Sequence, residues 1–303
     1  MILHENGTYF KEAIDATSKR RGLDPALVEK DYFVTLFLAE AVKRIPGLIF
    51  KGGTSLSKCH HLIDRFSEDV DLTLDEEHFT QSPKRKAVTA LIDVCDALGF
   101  ELLNRDKIEH HTHGNYNCYE VAYPISFPSP AIKTELKVEM TYIQKAYPTE
   151  EKMANCYIGE FLSEIGRGDL CRAYGLEAFP VRTQTLERTF VDKVFAICDY
   201  FLSENETRNS RHIYDIAKLL TRVDLGSPSL KILIEDVRED RRKQKRCLSA
   251  QEGASVSDLL LRIVESNFYK RDYEKVTAKL LGKPMDYEEA VQSLKAIASS
   301  GLF

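Results

Sequence analysis

Two aspartates, Asp69 and Asp71 in RFSEDVDL, follow a Gly52-Gly53-Thr54-Ser55 turn within one short stretch of chain. Alternation along a strand sends residues i and i+2 to one face, so a strand through Val70 sets both carboxylates side by side. The turn sits between an apolar strand, Leu48-Ile49-Phe50, and a short helix opening at Thr54-Ser55. Paired carboxylates hold a divalent cation, and the backbone N–H groups of a glycine-rich helix start cradle a phosphate tail. Metal-assisted phosphoryl or nucleotidyl transfer is the chemistry this combination serves. A Gly-Gly pair alone marks many plain turns, and Asp-x-Asp alone arises by chance. Their order, strand then turn then helix then acidic strand, is what gives them weight. The GxxxxGK[ST] spacing of a Walker loop is missing. Arg65, Ser67, Asp69 and Asp71 alternate, and are expected to share one strand face opposite Phe66, Val70 and Leu72. Lys58, one helical turn past Thr54, is placed to reach a phosphate or to sit in solvent.

Further chemistry-bearing residues lie downstream. IKTELKVEMTYI (132–143) reads as a strand with Lys133, Glu135, Lys137, Glu139 and Thr141 on one face. Glu139, with Glu135 as competitor, is the candidate third carboxylate of a metal site. Lys193 falls in the middle of the apolar helix LERTFVDKVFAICDYF, either snorkelling to solvent or balancing a polyphosphate. Arg211 and Asp215 in RHIYDI stand at i, i+4, which by itself is a helix-surface pair worth about 0.3–0.5 kcal/mol. DRRKQKR (240–246), with Lys231 and Arg238, is the densest basic run, a solvated helix face or a track for an RNA backbone. His110, His111, His113 and Cys118 lack zinc-ligand spacing and read as a hairpin tip at Gly114-Asn115.

These residues need elements to hold them. Asp24-Pro25 starts a helix, with Asp24 as N-cap and Pro25 at N1. It runs from Ala26 to Arg44 with a wide apolar face that includes Phe33, Phe37 and Leu38. Its charged triplet, Glu29-Lys30-Asp31, is expected to form a solvated first turn. Pro83–Leu98 reads as a helix, Phe100–Arg105 as a strand and Glu150–Gly166 as helical. After Phe179–Arg182 the pattern becomes almost wholly helical, as Thr185–Ser203, Ser210–Thr221, Pro228–Arg246, Val256–Asn267, Tyr273–Leu281 and Tyr287–Ala298.

At 303 residues, 43% hydrophobic and 29% charged, the chain has the composition of a soluble globular protein rather than a disordered one. Its formal charge of −5, from 42 basic and 47 acidic side chains, neither demands nor excludes a nucleic-acid partner. No apolar run approaches a bilayer span, and the N-terminus lacks a signal-peptide core. Seven cysteines without CxxC pairing read as reduced thiols in a cytoplasmic protein.

The ordered series GGTSLSK, RFSEDVDL, KVE (Lys137–Glu139), FVDKVFA and RHIYDI, with EKDYF (Glu29–Phe33) upstream, resembles the AbiEii/AbiGii-type nucleotidyltransferase toxins, the family that includes the MenT toxins. The resemblance covers most of residues 25–220. It implies an α/β (α+β) fold, a DNA-polymerase-β-like core with a mixed sheet plus a helical C-terminal lobe. The expected domains are 1–175, the nucleotidyltransferase domain with N-terminal helices, and 176–303, a helical domain completing the active-site cleft. It implies the toxin of a toxin–antitoxin or abortive-infection pair. Such a toxin uses NTP and Mg²⁺ (or Mn²⁺) to add nucleotides to an RNA 3′ end, a tRNA in MenT-like members, blocking translation. A cognate antitoxin encoded nearby is the implied partner. By motif, Asp69 and Asp71 bind metal, with Glu139 as the less secure third ligand. Lys193 contacts the nucleotide phosphates, and Asp215 is the acid of the C-terminal site. Gly52, Gly53, Thr54, Ser55, Lys58, Ser67 and Arg211 are the expected nucleotide-binding set. The competing readings are nucleotidylation or phosphorylation of a protein target, and an NTP-binding regulatory module without turnover.

Overall fold

The computed structural model describes residues 2–67, 69–110, 114–130, 132–142 and 144–303. The chain forms two compact units, Met1–His60 with Ser67–Thr183, and His61–Phe66 with Gln184–Phe303. The first unit contains α1 (Gly7–Arg21), α2 (Pro25–Arg44), β1 (Leu48–Lys51), α3 (Gly52–Lys58), β2 (Asp69–Leu74) and α4 (Gln81–Leu98). It continues with β3 (Glu101–Leu102), α5 (Arg105–His110), β4 (Tyr116–Ala122), β5 (Glu135–Thr141), β6 (Thr149–Ala154), α6 (Tyr157–Glu164), α7 (Gly168–Tyr174) and β7 (Phe179–Gln184). The remaining helices are α8 (Leu186–Leu202), α9 (Arg211–Leu220), α10 (Pro228–Arg242), α11 (Val256–Ser266), α12 (Lys270–Lys275) and α13 (Tyr287–Ser299). None of the described helices is long and apolar enough to cross a membrane.

The fold is mixed α/β, with one seven-stranded sheet in the order β3-β4-β5-β2-β1-β7-β6. β1 pairs antiparallel with β2 and parallel with β7, while β2 and β5 run parallel. On β5 burial alternates strictly, with Leu136, Val138 and Met140 turned into the core. The opposite face therefore carries Glu135, Lys137, Glu139 and Thr141, as the alternation predicts.

The helix α2 packs through Val28, Phe33, Phe37, Leu38 and Ala41, all buried, and Asp24 caps it by accepting from the Ala26 N–H at 2.8 Å. Its charged triplet departs from expectation. Glu29, Lys30 and Asp31 are buried rather than solvated. The carboxylate of Glu29 accepts the N–H groups of Ser126 (2.7 Å) and Phe127 (3.0 Å), and Lys30 donates to the Lys133 carbonyl at 3.0 Å. Asp31 takes Lys58 Nζ at 2.5 Å and the Tyr157 N–H at 2.8 Å. Lys58 also donates to Thr35 Oγ1 at 2.6 Å. Lys58 is therefore buried on Asp31 rather than standing in solvent, and the pair fastens the end of α3 to α2 and to the start of α6. We predict that Lys58→Met, which leaves Asp31 buried beside an apolar chain, lowers stability by about 3–5 kcal/mol. Urea denaturation measures it, and Asp31→Asn/Lys58→Met should recover part of the loss.

Other departures have local causes. Residues 149–154 form the edge strand β6 instead of helix, and the helix begins only at Tyr157, after Cys156 caps it. The expected strand 100–105 shrinks to β3, and α5 occupies Arg105–His110, so β3 and β4 pair without a direct hairpin. His111 and His113 lie outside the described residues. The 273–281 helix is split into α12 and a 3₁₀ turn, Thr277–Leu280. All seven cysteines are free, and burial pushes the thiols of Cys59, Cys95 and Cys156 up to about 12, which leaves them inert near neutrality.

In the second unit the core is helical, with Phe190, Val194 and Ile197 of α8, Ile213, Ile216 and Leu219 of α9, Leu260 and Ile263 of α11, and Leu294 and Ile297 of α13 buried together. The basic run is not one cationic helix face. α10 ends at Arg242, and Arg241 is buried on Asp199 at 2.6 Å. Asp199 also accepts the Ser249 N–H and hydroxyl, each at 2.7 Å. Arg238 pairs with Glu235 at 3.0 Å. Arg242, Lys243, Lys245 and Arg246 remain at the surface.

Candidate active site

The first unit assembles a charged block across its central strands. Register sets Asp71 of β2 between Lys51 of β1 and Glu139 of β5, and Asp69 beside Lys137. Residues opposed in register share a face, so Asp69, Asp71, Lys137 and Glu139 lie together on the half-exposed face of the sheet. The Lys137 ammonium is ion-paired with the Glu139 carboxylate. Burial lowers the proton affinity of Lys137, but Glu139 and then Asp69 outweigh that and raise it. The phenol of Tyr116, on β4, is held protonated by burial and by the nearby charge of Glu139.

The glycine turn is shaped to this block. Gly52 has φ +78°, and a Cβ there would stand 1.9 Å from Asp71 Oδ2. Only glycine allows the turn to approach the carboxylate so closely. Thr54 Oγ1 donates to the Asp69 carbonyl, and Ser55 Oγ donates to the Gly52 carbonyl at 2.9 Å. Both side chains are buried, so Thr54 and Ser55 lock α3 to β2 and offer a ligand their backbone rather than their hydroxyls. Gly53 is the second residue of that helix and is likewise buried. Ser67 precedes β2 instead of extending it, so the four-residue strand face expected from Arg65 to Asp71 reduces to Asp69 and Asp71.

Arg65 belongs to the second unit. Its guanidinium grips Asp215 through two bonds, Nε to Oδ1 at 2.6 Å and Nη2 to Oδ2 at 2.7 Å. Lys193 Nζ meets Asp215 Oδ2 at 2.7 Å. Asp215 is fully buried, with Arg65 and Lys193 nearly so. The i, i+4 reading of Arg211 with Asp215 is therefore incomplete, because Arg65 and Lys193 are the partners that grip the carboxylate. Burial opposes ionisation of Asp215, yet the Arg65 guanidinium and the Lys193 ammonium hold its carboxyl well below the usual range. Lys193 is pulled down from its ordinary value by burial and by the charges of Arg65 and Arg211, against the opposing pull of Asp215. Lys193 does not snorkel. One carboxylate here serves a set of cations, and the surplus positive charge suits a polyanion.

The start of α9 is anchored independently. Asp272 accepts the Arg208 N–H at 3.0 Å and the Ser210 hydroxyl at 2.6 Å, and Tyr214 OH accepts the Asp64 N–H at 3.0 Å. His212, beside Lys193 and Arg211, has an Nδ1 that is closed to solvent and unpartnered in the structure. Burial first, and then the Lys193 and Arg211 charges, push its pKa well below the ordinary histidine value. Protons thus bind the unfolded chain more readily, so the stability His212 contributes is present above about pH 6.5 and lost as pH falls toward its folded pKa. One proton sets the upper bound on the slope of that loss, about 1.4 kcal/mol per pH unit. His212→Gln should flatten it in urea titrations run between pH 7 and pH 5.

Sequence reasoning missed Arg65 as the clamp on Asp215 and Asp31 as the anchor of Lys58. The available signal for the latter was position, since Glu29-Lys30-Asp31 is flanked on both sides by core residues of one helix. Glu139 falls beside Asp71, but Lys137 holds it. Among the described residues, no group of three His, Cys, Asp or Glu is arranged to hold a metal ion. The donor chemistry of Asp69 and Asp71, two carboxylates on one strand face beside a backbone turn, suits a hard divalent cation.

A mixed α/β sheet with paired strand carboxylates against a glycine turn is the layout of a nucleotidyltransferase-type protein. The family model of the nucleotidyl transferase AbiEii toxins, type IV toxin–antitoxin systems, matches residues 36–296, and the chain belongs to that family. No curated protein matches the sequence.

Proposed function

We propose that this toxin transfers a nucleoside monophosphate from an NTP to the 3′ end of an RNA, a tRNA in the first instance, and so blocks translation. The observation that carries this reading is that Asp69 and Asp71 share the half-exposed face of β2, with the Asp71 carboxylate against the Gly52 turn. Asp69 and Asp71 would hold Mg²⁺ or Mn²⁺, and Glu139, the third carboxylate of the block, is paired with Lys137. When bound, a divalent cation supplies Lewis-acid charge for the phosphate oxygens and the attacking hydroxyl. The acceptor 3′ oxygen bonds to the α-phosphorus as the bond from that phosphorus to pyrophosphate breaks, and the hydroxyl proton passes to water. The backbone N–H groups at Gly53, Thr54 and Ser55 suit the phosphate tail. By family motif Lys193 is the contact for nucleotide phosphates, and within its own unit Asp215 and Arg65 fix its position. The family implies an antitoxin partner, and the setting that goes with it is a cytoplasmic defence against phage.

The test is incubation with α-labelled and γ-labelled nucleotides in the presence of tRNA and of cell protein, followed by separation of the two. Label from the α-phosphate on tRNA 3′ ends is the expected result. Label on protein alone would replace the RNA acceptor with a protein target, and tight NTP binding without any labelled product would make the chain a regulatory module.

A further inference from the structure

The charged block on β2 and β5 has a lysine at one of its four corners. Asp69 stands beside Lys137 and Asp71 beside Glu139, and the Lys137 ammonium is bonded to the Glu139 carboxylate on the same strand face. Carboxylates at all four corners would repel one another and would need bound cations to neutralise them. Here a fixed single positive charge already sits against the carboxylate best placed to be the third ligand. For Glu139 to coordinate a cation it must first give up a charge-assisted hydrogen bond. Lys51, opposite Asp71 on β1, brings a second positive side chain to the same row of residues.

We propose that Lys137 is a built-in cation that takes the place of a second divalent ion, so that the protein binds one divalent cation on Asp69 and Asp71 and keeps Glu139 out of its coordination. This rests on the reading of Asp69 and Asp71 as metal ligands. Lys137 is thus a residue that sets metal stoichiometry and affinity rather than a catalytic residue. The ammonium is partly exposed, 38% at the side chain, so replacing it leaves the core intact.

Titration of the intact protein with Mn²⁺ alone, followed by electron paramagnetic resonance of free Mn²⁺ and by calorimetry, tests the proposal. Wild type should bind one ion, and Asp69→Ala should bind none. Lys137→Met should bind a second ion, or the first about tenfold or more tightly. Lys137→Arg should behave as wild type because the charge persists. Lys137→Met/Glu139→Gln should return to one ion, because the carboxylate that Lys137→Met releases is then gone. Two ions in wild type, or Lys137→Met indistinguishable from wild type, would overturn the role of Lys137 while leaving the Asp69 and Asp71 reading in place. Mn²⁺ binding that survives Asp69→Ala unchanged would instead remove the reading on which it rests.

Discussion

Asp69→Ala is expected to reduce nucleotide transfer about 10³-fold or more, which is about 4 kcal/mol of transition-state stabilisation, and to abolish growth inhibition. The fold should be spared. Asp69 is only half-buried at the start of β2, and the bond that locks α3 to β2 uses the Asp69 backbone carbonyl rather than its carboxylate. Substituting the side chain therefore removes a donor from the charged block without loosening the glycine turn. Stability in urea should change by less than about 1 kcal/mol, as for surface-facing substitutions. Measuring transfer with α-labelled nucleotide beside the denaturation midpoint separates the two effects. A folded Asp69→Ala protein that is still fully toxic would refute the assignment of Asp69 to the chemistry.

Asp215→Ala should act through the fold as well as through activity. It leaves the Arg65 guanidinium and the Lys193 ammonium buried against each other without their shared carboxylate. Breaking a buried ion pair by removing one partner costs about 3–5 kcal/mol, and here two cations lose the same partner, so the upper part of that range is expected. Lys193→Met is the informative companion. It removes the charge proposed to meet the triphosphate while the two-bonded clamp of Arg65 on Asp215 persists. It should therefore stay folded and lose transfer. Because the Asp215 carboxyl is held far below its ordinary value, its stabilisation is complete above about pH 4 and disappears only in strong acid. The loss expected from His212 between pH 7 and pH 5 is thus separable from it. An Asp215→Ala protein as stable as wild type would mean that the cluster adds nothing to the fold.

Local periodicity made much of this architecture readable. The capped start of α2, the alternation of β5 and the apolar stripe of α8 each follow from spacings of two or 3.6 residues, which any packed strand or helix must obey. The pairing of Asp69 with Asp71 on one face followed in the same way. Edge strand β6 was not readable, because its partly exposed residues carry no strong strand pattern and its identity comes from pairing in the sheet. The helix that interrupts the expected hairpin after β3 was hidden for a similar reason.

The chain's order of residues determined which groups are present and which neighbours share a face: the glycines of the turn, the two aspartates, and Lys193 within an apolar helix. Tertiary structure decided what each charge meets. Arg65 lies far along the chain from Asp215, and Asp31 from Lys58, so no local spacing links them. Only burial, which makes an unpaired charge too costly to keep, brought each to its partner. The same logic explains why Lys58 left the expected phosphate-binding set and why Arg241 left the expected RNA track. It also shows why Gly52 had to be glycine, since its constraint is the Asp71 carboxylate across the strands and not the turn alone.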